Sequence, residues 1–400
     1  MSKGSESSIY KALGASSSKE GVLNAIGSKK PSYFIELMED VGGDKEYYSF
    51  LHADGAGTKS IVAYLAFKET NDPSWFRSLA YDSLIMNLDD VLCTGPVEAL
   101  SLSNTIGRNK LVIPDTAIKE VIEGYREVVS LLATYGITVN LCGGETADVG
   151  DLVRTIIIDS TLFGRVKRDR TISTDQIVPG DVIIGLSNTG QASYEKSPNS
   201  SLSSNGYTLA RHALIAKKYP EKYPEILDPN IKLSDAYNGK LDLMAKPSEL
   251  GGQSLVEALL SPTRTYAPIL FEIFKTVSVN EIHGIINCTG GGQTKILRFG
   301  KGVSYIKDTL FPCPPIFKMI QESLNVPWDE MYSVFNMGHR IEIISPESNY
   351  DAIKKIAATF NVESRIIGRV EKAQGNKKFE SGDANTLKIT SDKGCFEYQG

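Results

Sequence analysis

Three short segments in the first half of the chain place acids beside glycines. The run His52-Ala53-Asp54-Gly55-Ala56-Gly57-Thr58-Lys59-Ser60 directly follows a strand-like stretch. Asp54 offers a hard oxygen ligand for Mg²⁺. Gly55 and Gly57 let the backbone approach a bulky anion, and Thr58 and Lys59 offer a donor and a positive charge for phosphate. The spacing is neither a Walker A loop nor G-x-G-x-x-G, and a tight turn with a capping Asp uses the same residues. In the second segment, Asn87–Gly95, Asp89 and Asp90 close an otherwise apolar helix. A helix C-terminus disfavours negative charge by a few tenths to about 1 kcal/mol. Two acids there call for a compensating cation, or are simply a solvated pair. The third segment, Gly143-Gly144-Glu145-Thr146-Ala147-Asp148, follows another strand-like run. With Asp54 and Asp90, Glu145 completes three acids for the few protein ligands that Mg²⁺ usually takes.

The second half carries anion-binding candidates of its own. Ser203-Ser204-Asn205-Gly206-Tyr207-Thr208 precedes a helix, with Asn205 or Ser204 as its N-cap. Thr289-Gly290-Gly291-Gly292 leads from a strand into a helix, an arrangement that suits phosphate. Thr263 and Arg264 lie in Pro262-Thr263-Arg264-Thr265-Tyr266, where the guanidinium suits phosphate or carboxylate. His283 is either a general acid or base or an ordinary strand histidine. Asn336, in Phe335-Asn336-Met337-Gly338, lies in a turn or orients a ligand.

Alternating segments must position these groups. Strands are expected at 47–52, 97–102, 137–142 and 154–163, with helices at 75–93 and 114–134. The turn-rich cluster 173–181 opens a strand at 182–186 and places a domain boundary near residue 170. Beyond it, helices are expected after Asn205, after the glycines and at 350–360, and strands at 282–288, 340–344 and 364–370. Two inserts, 191–204 and 217–248, interrupt the alternation. The division is a polar arm (1–30), an N-terminal domain (31–170), a C-terminal domain (171–372) and a tail (373–400) that adds an edge hairpin. Both domains are of mixed α/β (α+β) class.

Composition bounds the partners. The 400 residues are 41% apolar, enough for two or three cores. The 43 Lys+Arg against 48 Asp+Glu exclude bulk attraction to nucleic acid, so an anionic ligand must be caught by a local site. The polar N-terminus and the lack of an 18-residue apolar run point to a cytoplasmic chain with no membrane partner. Five scattered cysteines fit neither a disulfide framework nor a zinc finger.

Taken in order, DGAGTK (54–59), DDVLCTG (89–95), GGETAD (143–148), GDVIIGL (180–186), SNGYTLAR (204–211), SPTRTY (261–266), HGIINCTGGG (283–292) and FNMG (335–338) are similar to the aminoimidazole ribonucleotide synthetase family, the phosphoribosylformylglycinamidine cyclo-ligases. The resemblance runs from about residue 10 to about 371, closest to a divergent branch. It implies an N-terminal domain that forms half of an intersubunit β-barrel in a homodimer, with ATP and Mg²⁺ in a cleft. The implied reaction phosphorylates the formyl amide oxygen of formylglycinamidine ribonucleotide, after which ring closure expels phosphate. The resemblance further implies Asp54, Asp90 and Glu145 as metal ligands. Lys11, Gly55, Gly57, Thr58, Lys59 and Glu145 would serve ATP. Asn205, Gly206, Thr263, Arg264, the glycines 290–292 and Asn336 would serve the ribonucleotide, with His283 orienting it. Ala12 and Ser203 depart from the family pattern, and the insert 217–248 has no counterpart in it. Other ATP-using enzymes of the superfamily share the first two motif types. Selenophosphate synthetases, however, place a reactive Cys near the N-terminus, and here no Cys precedes Cys93. A non-catalytic nucleotide-binding protein would have no need of the three acids.

Overall fold

The computed structural model describes residues 10, 12–15, 25, 31–373 and 384–400. Lys11 lies outside the described residues. The first half builds one sheet in the order β1-β2-β5-β3-β4. After the short β1 (Met38–Glu39), β2 (Tyr47–Gly55) leads into helix α1 (Lys59–Thr70). Helix α2 (Ser78–Leu92), β3 (Val97–Arg108), α3 (Asp115–Ala133), β4 (Val139–Asp148) and β5 (Ile156–Lys167) follow. β2 and β3 pair antiparallel with β5, and β4 runs parallel to β3 at the edge.

Residue pattern explains the layering. α2 is buried on nearly every side, which fits its run of Leu, Ile, Met, Val and Ala. α3 buries Ala117, Ile118, Val121, Tyr125, Val128 and Leu132 at helical spacing and turns its charges outward. β5 alternates buried and more exposed residues along its length, so one face meets the helices and the other stays open. The expected helix at 75–93 divides into a 3₁₀ turn at Pro73–Phe76 and α2, because Pro73 starts the turn and Asp72 caps it through Ser74.

The second half forms a seven-stranded sheet, β12-β11-β8-β10-β6-β9-β7. Its members, in chain order, are β6 (Val182–Ser187), α4 (Tyr207–Leu214), α5 (Lys218–Lys222), α6 (Leu255–Leu259) and α7 (Ala267–Thr276). Then come β7 (Gly284–Asn287), β8 (Val303–Lys307), α8 (Pro315–Leu324), α9 (Trp328–Val334), β9 (His339–Ser345), α10 (Tyr350–Thr359) and β10 (Ser364–Lys372). The final hairpin, β11 (Thr386–Ser391) and β12 (Gly394–Gln399), adds to β8. β6 and β9 are buried throughout, so the charged residues of β9 (His339, Arg340 and Glu342) must find partners inside the protein. The segment after the glycines is a 3₁₀ helix, Gly292–Arg298. α4 is capped by Gly206 in the left-handed conformation (φ 72°), not by Asn205 or Ser204.

The insert 217–248 straps the two halves together. Arg154 of the first half donates to the carbonyls of Pro224 (3.0 Å) and Glu225 (3.1 Å). Glu69, at the end of α1, receives Lys222 Nζ and Tyr223 OH, each at 2.8 Å.

Candidate active site

The end of β2, the last turn of α2 and the segment after β7 converge. Asp54 closes β2, and Asp90 sits in the last turn of α2. Burial and the nearby charge of Asp90 both push the Asp54 carboxyl above the usual carboxylate range. Asp90 is almost fully buried and accepts a 2.7 Å hydrogen bond from Asn287 Nδ2 on β7. His52 adds a ring nitrogen, Nε2, 3.6 Å from Asp90 Oδ2. The cations that act on these acids come from the second domain. Lys295 acts on Asp54, and Arg298 acts on Asp90. Two acids, Asp90 buried and Asp54 half-buried, with Asp54 raised by the charge of Asp90, suit a divalent cation.

The neighbouring Asp89 has its cation already. Arg340 of β9 pairs with it directly, and Thr265 Oγ1 (2.9 Å) and Tyr266 N–H (3.2 Å) donate to it. Burial still pushes Asp89 up, to about 6. Arg340 also donates from Nε to Asn287 Oδ1 at 2.9 Å. A hydrogen-bonded chain therefore runs from Arg340 through Asn287 to Asp90 across the domain boundary. The cation expected beside the Asp89–Asp90 pair is thus a protein side chain at Asp89. Sequence reading missed Arg340 and Asn287, although Asn287 lies inside the 283–292 motif and Arg340 just after FNMG, because both occupy strand positions whose partners come from the other domain.

The structure engages several of the expected site residues within the fold. Lys59 has no exposed surface. Its ammonium contacts Asp82 Oδ1 at 2.8 Å and the carbonyls of Ser261 (2.6 Å) and Ser203 (3.4 Å), which occupies its three protons inside the fold. Arg264 is equally enclosed. All five of its N–H groups are engaged: Nε with Glu195 Oε1 (2.9 Å), Nη1 with Ser187 O (3.1 Å) and Thr189 O (2.8 Å), and Nη2 with Gly190 O (2.9 Å) and Glu195 Oε2 (2.6 Å). Thr263 gives both its N–H (2.9 Å) and its hydroxyl (2.7 Å) to Asp82. A buried charge must be compensated where it lies, and these side chains satisfy that demand within the protein.

His283 precedes β7, at the opposite end from Asn287, and its Nδ1 meets both oxygens of Asp181 at 2.9 Å. It does not reach the acids. Asn336 donates to Ser201 O (2.8 Å) and accepts from Gly338 N–H (2.9 Å). It thereby holds a loop in which Ser201 and Ser203 both adopt positive φ. Glu145 is exposed within β4, which runs on through the GGETAD motif instead of ending before it. In the register, Gly55, Asp159, Thr105 and Glu145 form one row across four strands. Glu145 is therefore about 14 Å from the β2 end within one chain. A residue directly opposite Asp54 is Ser160, so the Asp54 side chain takes the other face of the sheet.

What remains accessible lies where the two domains meet. Gly57 and Thr58 are exposed, and Thr58 Oγ1 lies 3.3 Å from Thr208 Oγ1 on α4. Asn205 and Gly206 are half-buried beside it, and Gly290 is exposed. At Gly206 an added Cβ would lie 2.2 Å from the Phe335 ring, and at Gly292 2.5 Å from the Phe335 carbonyl. Those two glycines serve close packing, whereas Gly290 borders free space and Gly291 lies at ordinary contact distance from Lys295. A separate cavity of about 960 Å³ lies on the far side of Thr263 and Arg264, between Trp75, Tyr81, Leu131, Tyr194 and Pro262, and borders neither Asp54 nor Asp90.

Among the described residues, Cys288, His339 and Glu342 form the one trio of side chains close enough to share a metal ion. Lys307, fully buried, pairs with Glu342, which also meets His339 Nε2 at 2.9 Å. The ammonium takes the place of a metal there. Burial alone would raise the Glu342 carboxyl, but Lys307 and His339 outweigh it and hold the group down at about 2.

Two mixed α/β domains meet at the acid pair, where Asn287 of β7 reaches Asp90, and this arrangement defines a two-domain α/β class. Residues 38–166 match the AIR synthase related protein N-terminal domain, and residues 178–379 match its C-terminal domain. The chain belongs to the AIR synthase related protein family. It is 32% identical over 339 residues to the phosphoribosylformylglycinamidine cyclo-ligase of Methanocaldococcus jannaschii, covering 83% of this chain and 81% of that protein. Identity to the protein of the same name from Pyrococcus horikoshii is also 32%, covering 82% and 80%. In fold, the chain is similar to the structure of PurLQS from Thermotoga maritima (TM-score 0.50, 13% identity, 92% of this chain and 46% of that one). It is likewise similar to AaThiL complexed with AMPPCP and TMP (TM-score 0.50, 13% identity, 91% and 94%). Among the described residues no helix is long and apolar enough to cross a membrane.

Proposed function

We propose that this protein is an ATP-dependent cyclo-ligase that closes the imidazole ring of aminoimidazole ribonucleotide from formylglycinamidine ribonucleotide. The observation that carries this reading is the Asp54–Asp90 pair at the domain junction, in a chain about 30% identical to curated cyclo-ligases over most of its length. An amide oxygen is a poor leaving group, and phosphorylation makes it a good one. The formyl amide oxygen takes the terminal phosphoryl group of ATP. The amidine-side nitrogen then attacks that carbon and loses its proton, and the C–O bond breaks to release phosphate. Asp54 and Asp90 would hold Mg²⁺, which supplies charge neutralisation at the transferring phosphoryl. Thr58, Gly57 and the backbone at 290–291 offer donors to phosphate, and Lys295 and Arg298 supply the positive charge first assigned to Lys59 and Arg264. Asn205, beside Gly206, faces the ribonucleotide from the second domain. The chain thus acts mainly by positioning and by electrostatics. Substrate labelled with heavy oxygen in the formyl group should yield phosphate carrying one heavy oxygen. Label found only in water would overturn the phosphorylated-amide route.

The same reading includes a homodimer. β4 is an edge strand exposed along almost its full length, and Leu51 and Leu141 leave apolar surface on the sheet. Such an edge calls for cover. Glu145, remote from Asp54 in its own chain, would then join the metal site of a second copy. Mixing an Asp90→Asn chain with a Glu145→Gln chain tests this, because each mixed dimer would hold one intact site. Random exchange should restore roughly a quarter of the normal activity. No recovery, or a monomer in sedimentation at micromolar concentration, would refute it.

A further inference from the structure

The cavity of about 960 Å³ beyond Thr263 and Arg264 takes no part in the proposed reaction. α2 and α3 of the first domain, with the turn before α2, form one wall, and residues of the second domain from 194–199 and 246–265 form the other. Tyr194 belongs to the 191–204 insert and Lys246 to the 217–248 insert, so segments outside the family motifs help to build it. The walls are held in place. Tyr194 OH donates to Thr265 O, Asn199 Nδ2 donates to Pro262 O at 2.8 Å, and Thr263 and Arg264 are anchored on Asp82 and Glu195. Protein interiors normally close such a volume, and pockets for small ligands span about 300–1,000 Å³.

The lining favours one chemistry. Trp75, Tyr81 and Tyr194 contribute half-buried rings, beside Leu131, Leu260 and Pro262. Trp75 Nε1 donates to Thr70 Oγ1 at 3.1 Å and Tyr194 OH to Thr265 O, so the polar ends of both rings are tied elsewhere and their apolar bodies remain. The charges of the wall are balanced by the protein itself. Lys196 pairs with Glu127, Arg264 with Glu195, and Arg77 with Glu120 (Nε to Oε2, 2.8 Å). Ser254 and, less strongly, Lys246 hold the Glu257 carboxyl below the usual carboxylate range. A charged ligand would lose its hydration there without gaining an uncompensated partner. Ser78, at the start of α2, also lines the cavity, and its buried hydroxyl has no hydrogen-bond partner in the protein. An orphaned hydroxyl costs free energy that a ligand's N–H or O–H group would recover.

We propose that this cavity is a second binding site, which takes an uncharged, ring-bearing small molecule with a hydrogen-bonding group between the two domains. Neither Asp54 nor Asp90 borders it, so the site goes beyond the cyclo-ligase reading and does not depend on it.

The test titrates two fluorescent probes into the full-length protein. N-phenylnaphthylamine is uncharged, carries one N–H group and brightens in apolar surroundings, and anilinonaphthalene sulfonate adds a negative charge to the same rings. The neutral probe should saturate at one per chain, and the sulfonate should bind about tenfold more weakly. Excitation of tryptophan should pass to the neutral probe almost completely from Trp75, and Trp328, the other tryptophan of the chain, does not border the cavity. Trp328→Phe should therefore preserve that transfer. Leu131→Trp, which fills the space from α3, should weaken the neutral probe about tenfold, and Ser78→Ala about threefold. Asp90→Asn should leave it unchanged. Absence of saturable binding, equal affinity for the two probes, or affinity indifferent to both Leu131→Trp and Ser78→Ala would overturn the assignment. Loss of the probe on Asp90→Asn would also overturn it, by placing the probe at the acid pair, and would leave the cyclo-ligase reading standing. Energy transfer in the Trp328→Phe protein decides the location even if Leu131→Trp fails to fold, and its loss there would refute the cavity.

Discussion

Two stretches of the domain junction contain the same residue types and use them in opposite ways. Around Asp82, Lys59, Thr263 and Ser261 knit α1, α2 and the 261–265 segment together, and Arg264 closes on Glu195 with every donor engaged. Around Asp54 and Asp90 the charge of Asp90 still raises Asp54, the His52 ring lies 3.6 Å from Asp90, and the nearby cations act from a neighbouring turn. A buried charge paired within the fold is a strut, as Asp82 is through Oδ1, although its Oδ2 has no hydrogen-bond partner. One whose compensation is incomplete is where a ligand brings free energy. That distinction separates structure from chemistry in this molecule more reliably than residue identity does, since lysine, arginine and aspartate occur in both stretches.

The comparison can be broken most decisively at Asp90. Asp90→Asn should lower ADP release by roughly 10²–10³-fold while changing the thermal midpoint little, because it removes a charge the fold compensates only in part. A variant that kept near-normal turnover and Mg²⁺ dependence would put Asp90 among the struts.

At the other stretch the balance reverses. Lys59→Met leaves Asp82 buried and unpaired, and Arg340→Met does the same to Asp89. Each should cost about 3–5 kcal/mol in urea unfolding. A Lys59→Met protein with unaltered stability but weaker ATP binding would return Lys59 to the phosphate site.

Acid should sharpen the contrast between engaged and open groups. Burial, then Arg211, lowers His212 from its ordinary 6.5 to about 3. The unfolded chain therefore binds a proton that the folded one refuses between those values. Stability should fall as pH drops from about 6.5 towards 3, by at most about 1.4 kcal/mol per pH unit from this group. His212→Gln should flatten that part of the unfolding profile measured by denaturant titration.

The smallest effect belongs to the exposed edge. Glu145→Gln should change unfolding free energy by less than about 0.5 kcal/mol, since the side chain is exposed on β4. A larger loss in denaturant unfolding would show that Glu145 has structural work within its own chain.

Sequence by itself determined the alternation of elements and the motifs at their ends. Apolar periodicity located α3, β6 and β9 to within a few residues, glycine beside acid marked the Asp54 turn, and the glycine run marked the segment after β7. Local pattern reaches that far because helix and strand periods and turn chemistry are set by neighbours in the chain. Tertiary structure alone decided which charges were open. Nothing near Lys59 in sequence announces Asp82, Ser203 and Ser261, and nothing near Asp89 announces Arg340, 251 residues away. His52 stands two residues before Asp54, yet its ring is held by Asn87, whose amide nitrogen is shared among three carbonyls of separate elements. Compensation of a buried charge is a property of the folded surroundings, and only the packing of the two domains establishes where it is complete and where it is not.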